Sequence, residues 1–410
     1  PARIMGAGTG SNKGSLAVRK SLVIVQFAIS IALIVATIII QAQTQLLRSM
    51  DLGIDLENRL VITGITSSDV APLEDTIREQ MLAIPGVTAA ALASDELPMT
   101  HYNNSDFLVP ELGVMDFIDT DKVFVDAHFF DVYGVQALAG RLYSEQYTAD
   151  TLVRSESADV PWTRNAVVTE SFARAAGVND PGDMLGKVIV APDYGGDGVH
   201  LHATVIGVIA DLHLRRLNER TAQMVFFASN SVLDVMTLKL ETDDLAATLA
   251  AIDGTWADIV PQVPIHRYFA RDGFDALYET EQRRGQVLTA LSVFAMFVAC
   301  LGLFGLAAYS VEQKTLEIGI RKVHGARIPD ILMLVGAQLL KSVLWANLVA
   351  WPVVYFIMRG WLDSYAFRVD ITPLVFITAG LLAAVLALAC VAWQVLKVAR
   401  SSPIHALRYE

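Results

Sequence analysis

Read along the chain, apolar residues collect in four long runs, and the polar and charged residues fall between them. Residues 21–40 hold no charge, and Gln26, Ser30 and Thr37 are their most polar positions. Twenty residues at a rise of about 1.5 Å cross a hydrocarbon core of about 30 Å. Residues 286–311, 342–358 and 371–396 are equally free of charge. After the first run, residues 41–50 turn amphipathic and extend the helix as a stalk, with Gly53 as its stop. Before the second run, residues 271–285 read as a charged helix that leads straight into it.

Between these two runs the period changes. Residues 59–63 and 87–93 read as strands, and Leu73, Ile77 and Met81 between them have helical spacing. Strand, helix, strand predicts a small split α+β sheet. More strands are predicted at 121–125, 166–169, 187–190, 202–208, 224–227 and 235–240, with short helices at 128–133 and 170–176. Residues 187–190 and 202–208 are candidates to pair across the glycine-rich stretch 194–198. Ala139, Gly140 and Arg141 read as a turn. Residues 244–259 place Leu245, Leu249, Ile252 and Trp256 on one helical face. Two lobes are expected.

The fold class predicted is an α-helical membrane protein with four transmembrane helices and a large α+β extracytoplasmic domain inserted between helices 1 and 2. The expected divisions are a cytoplasmic linker (1–20), first span (21–43), extracytoplasmic domain with helical stalks (44–285), second span (286–311), cytoplasmic coupling segment (312–341), third span (342–358), short outer loop (359–370), fourth span (371–396) and cytoplasmic tail (397–410).

Charge sets the orientation. Arg3, Lys13, Arg19 and Lys20 precede the first run, and Lys397, Arg400 and Arg408 follow the last, so both termini are expected in the cytoplasm. Arg283 and Arg284 fall on the opposite side, but the rule counts short loops and these follow a long domain. Residues 309–326 carry Glu312, Lys314, Glu317, Arg321 and Lys322. A charge at the bilayer centre costs about 2.5–3.5 kcal/mol on the mildest scale, so this stretch lies outside the lipid. Residues 328–340 read as a separate helix on the inner surface, and Pro352 as a kink in the third span. The whole chain, 410 residues with a net charge of −12, 53% hydrophobic residues and a mean hydropathy of +0.45, fits a membrane protein with an acidic soluble insert. That acidity argues against a nucleic-acid partner. Cys300 and Cys390 both sit in apolar runs and read as small buried hydrophobes rather than a disulfide.

Motifs for chemistry are scarce. The stretch 6–15, GAGTGSNKGS, is no P-loop, because Lys13 is followed by Gly14 instead of Ser or Thr. It reads as a flexible linker. No HExxH, GxSxG or Walker motif occurs, so no catalysis and no cofactor are expected. His200, His202 and His213 with Asp211 are candidates for a metal site, but no further ligand has suitable spacing and a polar strand edge is the plainer reading. Glu317 and Arg321, four apart, make either an exposed ion pair worth about 0.3–0.5 kcal/mol or part of a docking surface. Gly302, Gly305 and Ala308 recur every three residues and permit close helix approach, within one chain or between two.

The segment Glu317-Ile-Gly-Ile-Arg-Lys322, followed by Gly325 and Ala326, resembles the signature after the second span of MacB/FtsX-like ABC transporter permeases. Leu277-Tyr-Glu279, Glu281-Gln-Arg283, Leu301-Gly-Leu-Phe-Gly-Leu306, Trp361-Leu362, Phe367-Arg368 and the tail from Pro403 to Glu410 fit the same family. So do Val125-Asp126 with Phe129-Phe130, Ala139-Gly140-Arg141, and Val205-Ile-Gly-Val208 with Asp211. The resemblance covers nearly the whole chain. It implies a permease in the bacterial inner membrane that depends on a partner ABC ATPase, with Glu317, Gly319, Arg321, Lys322, Gly325 and Ala326 as the coupling residues. It also implies a homodimer or a second permease half, a periplasmic adaptor as a further partner, and movement of peptide, drug or lipoprotein-type substrates. Residues 1–5, PARIM, resemble the tail segment Pro403-Ile-His-Ala-Leu407, as if a preceding half ended there and this were the C-terminal half of an eight-span permease. The alternative is a membrane-anchored extracytoplasmic receptor or signalling domain without transport. A channel fits poorly, because the apolar runs carry almost no charge to line a water path.

Overall fold

The computed structural model describes residues 9–99, 103–147, 150, 161–192, 200–215, 223–230, 233–313 and 328–399. The chain divides into two compact units, a helical one (Pro1–Arg48 with Glu279–Glu410) and an α+β one (Ser49–Tyr278).

In the α+β unit the order is β1 (Arg59–Thr63), α2 (Glu74–Leu82), β2 (Val87–Ala93), β3 (Asn104–Val109), β4 (Val114–Val125), α3 (Phe129–Val132), β5 (Ala137–Gly140), β6 (Trp162–Thr169), α4 (Glu170–Ala175), β7 (Val188–Ala191), β8 (Leu201–Ile209), β9 (Gln223–Ala228), β10 (Val235–Leu240), α5 (Leu245–Ile259) and β11 (His266–Phe269). The outer strands run β11-β1-β10-β2, each antiparallel to its neighbour. Each βαβ connection therefore skips one strand, which is the double split βαβ arrangement. Everything from β3 to β9 is inserted between β2 and β10. Ile77 and Met81 of α2 and Ile252 and Trp256 of α5 bury one face of the split sheet with Leu60, Ile62 and Leu238. Asp244 caps α5 by accepting from the Ala247 amide at 3.0 Å.

The inserted strands close on themselves. β4 pairs with β3, β3 with β7, β7 with β8, β8 with β6, β6 with β9, and β9 returns to β4 in parallel. Alternate residues point inward from several of these strands, among them Phe107, Ala166, Ile189, Ala203, Val225 and Phe227. Where two lobes were expected, the split sheet and this ring share one hydrogen-bonded network. They meet where Ala93 of β2 pairs with Val125 of β4. A common core fills the junction, with Phe130 edge-on to Phe129 at 5.5 Å and to Phe226 at 5.4 Å. Each buried phenyl contributes about 1.5–3 kcal/mol.

Two readings of this unit need correction. Ala139 and Gly140 belong to a strand rather than a turn: β5 lies antiparallel against β8. The approach is so close that a Cβ on Gly140 would stand 2.2 Å from the Ile206 carbonyl oxygen, and one on Gly207 the same distance from that of Arg141. Gly140 also has φ +77°, where side chains are strained. The strand predicted at 121–125 begins at Val114, because β3 supplies ladder partners along that whole length, from Asn104 opposite Asp121 to Val109 opposite Val114.

In the helical unit, α1 (Thr9–Ser49), α6 (Ala270–Gln313), α7 (Ile328–Leu362) and α8 (Pro373–Ala399) each contain a stretch long and apolar enough to cross a membrane: Val18–Ser49, Gln282–Ser310, Leu340–Leu362 and Pro373–Trp393. The first nine residues of α6 belong to the α+β unit, and the same helix continues into the apolar stretch. The break expected near Lys341 is absent. One helix runs from Ile328 to Leu362, with Pro352 inside it. Lys341 and Ser342 remove no backbone hydrogen bond, so a change in polarity there does not end the helix.

Candidate functional site

The inner faces of the four helices repeat every three or four residues. Val23, Phe27, Ile31, Val35 and Ile39 of α1 pack in one cluster with Ala299, Leu303 and Leu306 of α6 and with small residues where α7 meets α8, among them Ala346, Ala350, Ala379 and Ala383. A Cβ on Gly380 would lie 2.5 Å from the Asn347 side-chain oxygen. Asn347 donates to the Val343 carbonyl and accepts from the Trp351 indole, both at 2.9 Å, so it is held in place. Thr37 of α1 and Ser292 of α6 share a buried hydroxyl contact of 3.0 Å.

The structure separates the three small residues predicted on α6. Gly302 faces α1, where an added Cβ would stand 2.4 Å from the Gln26 side-chain oxygen. Gly305 has nothing within 4 Å, and Ala308 is half-buried. The six predicted coupling residues, Glu317, Gly319, Arg321, Lys322, Gly325 and Ala326, lie outside the described residues. What brackets them is described. Near the end of α6, the Arg19 guanidinium of α1 covers the Tyr309 ring at 5.0 Å, a cation–π contact. Early in α7, an added Cβ on Gly336 would stand 3.6 Å from Leu388 of α8.

The opposite end carries a fastener that the sequence did not reveal. The Gln43 side-chain amide donates to the Phe367 carbonyl at 2.7 Å and accepts from the Val369 amide at 2.9 Å. Gln43 is almost fully buried, so both contacts satisfy groups that would otherwise be stranded.

In the α+β unit the motif residues turn out to be connectors. Asp126 accepts from the His128 amide at 3.0 Å and so opens α3. Phe129 and Phe130 then enter the core. Arg141 makes two 2.7 Å bonds to Asp150, whose Oδ1 also accepts from Asn165 at 2.7 Å. The same guanidinium stacks 3.9 Å from the Tyr147 ring. Asp211, weighed above with three histidines, accepts from the Ser171 amide and from Arg174, both at 2.7 Å, and thereby anchors the start of α4. Among the described residues no group of three or more His, Cys, Asp or Glu is placed to hold a metal ion. Asp150 and Asn165 were missed because neither lies in a local pattern; only the folded ring brings them to Arg141.

Among the described residues four helices are long and apolar enough to cross a membrane, and an α+β unit lies between the first two along the chain. Residues 289–403 match the FtsX-like permease C-terminal family, and the chain is similar to MacB proteins. The macrolide export ATP-binding/permease protein MacB of Sodalis glossinidius is 22% identical over 291 residues, 67% of this chain and 41% of that protein. MacB of Nitrobacter winogradskyi is 25% identical over 113 residues, 28% of this chain and 18% of that one. The chain thus spans about two fifths or less of the length of these relatives. The crystal structure of the periplasmic region of MacB from Actinobacillus actinomycetemcomitans overlays with a TM-score of 0.36 at 13% identity, covering 55% of this chain and 95% of that one.

Proposed function

We propose that this chain is the permease and mechanotransmission part of a bacterial ABC transporter, seated in the inner membrane with both termini in the cytoplasm. The observation that carries this reading is the FtsX-like permease match across three of the four long apolar helices. A partner ATPase binds and hydrolyses ATP, and its motion enters through Glu317, Gly319, Arg321, Lys322, Gly325 and Ala326. Continuity of α6 supports the next step. One hydrogen-bonded helix starts beside β11 and ends at Gln313, directly before the coupling segment. A displacement at its inner end is passed from turn to turn toward the α+β unit. That unit works on the outer side, moving a peptide, drug or lipoprotein-type substrate. A second permease half or a second copy completes the transporter, and a periplasmic adaptor is a further partner.

The test is the double charge reversal Arg321→Glu and Lys322→Glu in the full chain. The ATPase should no longer co-purify, and its turnover should no longer respond to the permease, while circular dichroism stays unchanged. Undiminished co-purification with unchanged ATP turnover would overturn the docking role.

A further inference from the structure

The α+β unit contains a cleft of about 590 Å³, bounded by α2, the turn between β4 and α3, the segment after β5, and the end of β9. A second hollow of about 490 Å³ adjoins it and shares Asp75, Arg78, His128 and Glu145. Five carboxylates line the larger cleft: Glu74, Asp75, Asp126, Glu145 and Asp150. The side chains that oppose them on its walls are Arg78 and His128.

Most of these carboxylates are engaged or exposed. Asp150 is taken by Arg141 and Asn165. Glu145 lies 3.1 Å from the His128 ring, and Asp75 is 4.0 Å from Arg78. Asp126 differs. It is only 7% exposed, and its Oδ1 accepts from the His128 amide. Its Oδ2 is buried beneath the wall that Asp126 and Arg78 form together, and it accepts no hydrogen bond. Arg78 Nη1 stops 3.7 Å away, close enough for an ion pair and too far for a hydrogen bond.

We propose that this cleft binds a ligand carrying a primary ammonium or guanidinium group, which donates to Asp126 Oδ2 and takes over from Arg78 as its counter-charge. The acidic walls favour a cation over an anion, and the unfilled acceptor calls for an N–H donor. The cleft falls within the volume range of small-ligand sites. The site stands whether or not the coupling reading above holds, since every residue it uses lies in the α+β unit.

Burial raises the Asp126 carboxyl from its ordinary 3.8 to about 6, against the lowering pull of His128 and Arg78. The charged groups facing it are Arg78, Glu74 and Asp75 from α2, His128 from its own turn, and Glu145 and Asp150 from the segment after β5. A cation is held by the ionised carboxylate, so affinity should weaken as pH falls through about 6.

The experiment is calorimetric titration of the full chain in detergent with spermidine, trilysine amide and, as an anionic control, triglutamate. Binding of both cations identifies a general amine site; binding of trilysine alone identifies a peptide side-chain site. Either supports the proposal. Asp126→Asn should weaken binding about tenfold or more and remove the pH dependence. Arg78→Ala, which vacates the resident counter-charge, should tighten it several-fold. Failure of both cations to bind wild type and Arg78→Ala alike would overturn the proposal. So would triglutamate binding as tightly as trilysine, or a folded Asp126→Asn chain with wild-type affinity.

Discussion

The two units handle buried polar groups in opposite ways. In the helical unit the satisfying partner is nearly always one turn away. Ser30 donates to the Gln26 carbonyl, Thr37 to Leu33, Ser292 to Leu288 and Asn347 to Val343, each at 2.7–2.9 Å. In the α+β unit the partners come from far along the chain. Arg59, 3% exposed, donates to the Val132 carbonyl at 2.6 Å. Arg164 reaches the Ala228 carbonyl, and Arg215 the carboxylate of fully buried Asp121. Burial pushes that carboxyl upward, with Arg215 pulling the other way. A membrane-type helix satisfies its own backbone and lends carbonyls to its neighbours. A sheet pairs strands distant in sequence, as β4 lies between β3 and β9, so its buried polar groups meet partners from far along the chain.

That difference predicts a ranking of effects. The largest belongs to Arg141→Ala, which leaves Asp150 buried without its cation. A loss of about 3 kcal/mol is expected, read as faster hydrogen exchange across β5 and β8. The contrast fails if exchange there is unchanged. Next comes Gly380→Leu, which must push into the pinned Asn347 and should cost about 2 kcal/mol by thermal denaturation in detergent. Gly305→Leu, facing open space, should stay within about 0.5 kcal/mol of wild type in the same assay. Equal losses at both positions would mean that the exposed face of α6 is packed in the working protein. A similarly small effect is expected from Thr37→Val, which breaks the contact with Ser292 between α1 and α6. Interhelical hydrogen bonds of this kind average about 0.6 kcal/mol. A loss above about 2 kcal/mol would show that the helices depend on polar pairing as strongly as the sheet does.

The same contrast explains what could be read in advance. Apolar runs free of charge announced the long helices, since the property that makes a span is local. The split sheet was legible from β1, α2 and β2, where period two gives way to helical spacing around Ile77 and Met81 and back again. β3 was missed: Asn104, Ser105 and Asp106 look like a loop until β4 supplies their partners. The break imagined at Lys341 came from reading polarity as a helix end. Of the candidate site, spacing points equally to Gly302 and Gly305 and does not distinguish them. The distinction comes from Gln26, 276 positions earlier in the chain (302 minus 26). Asp126 was noticed only as part of a motif; that one of its oxygens lacks a hydrogen bond is a property of the folded cleft.

One side chain near the other end of the helices has a consequence of its own. Because Gln43 donates a hydrogen bond to the Phe367 carbonyl and accepts one from the Val369 amide, a carboxamide suits its place; a carboxylate would forfeit the donor and an ammonium the acceptor. The end of α1 is thereby stitched to the short link between α7 and α8. A rotation of the first helix cannot leave the last two behind without tearing both stitches together.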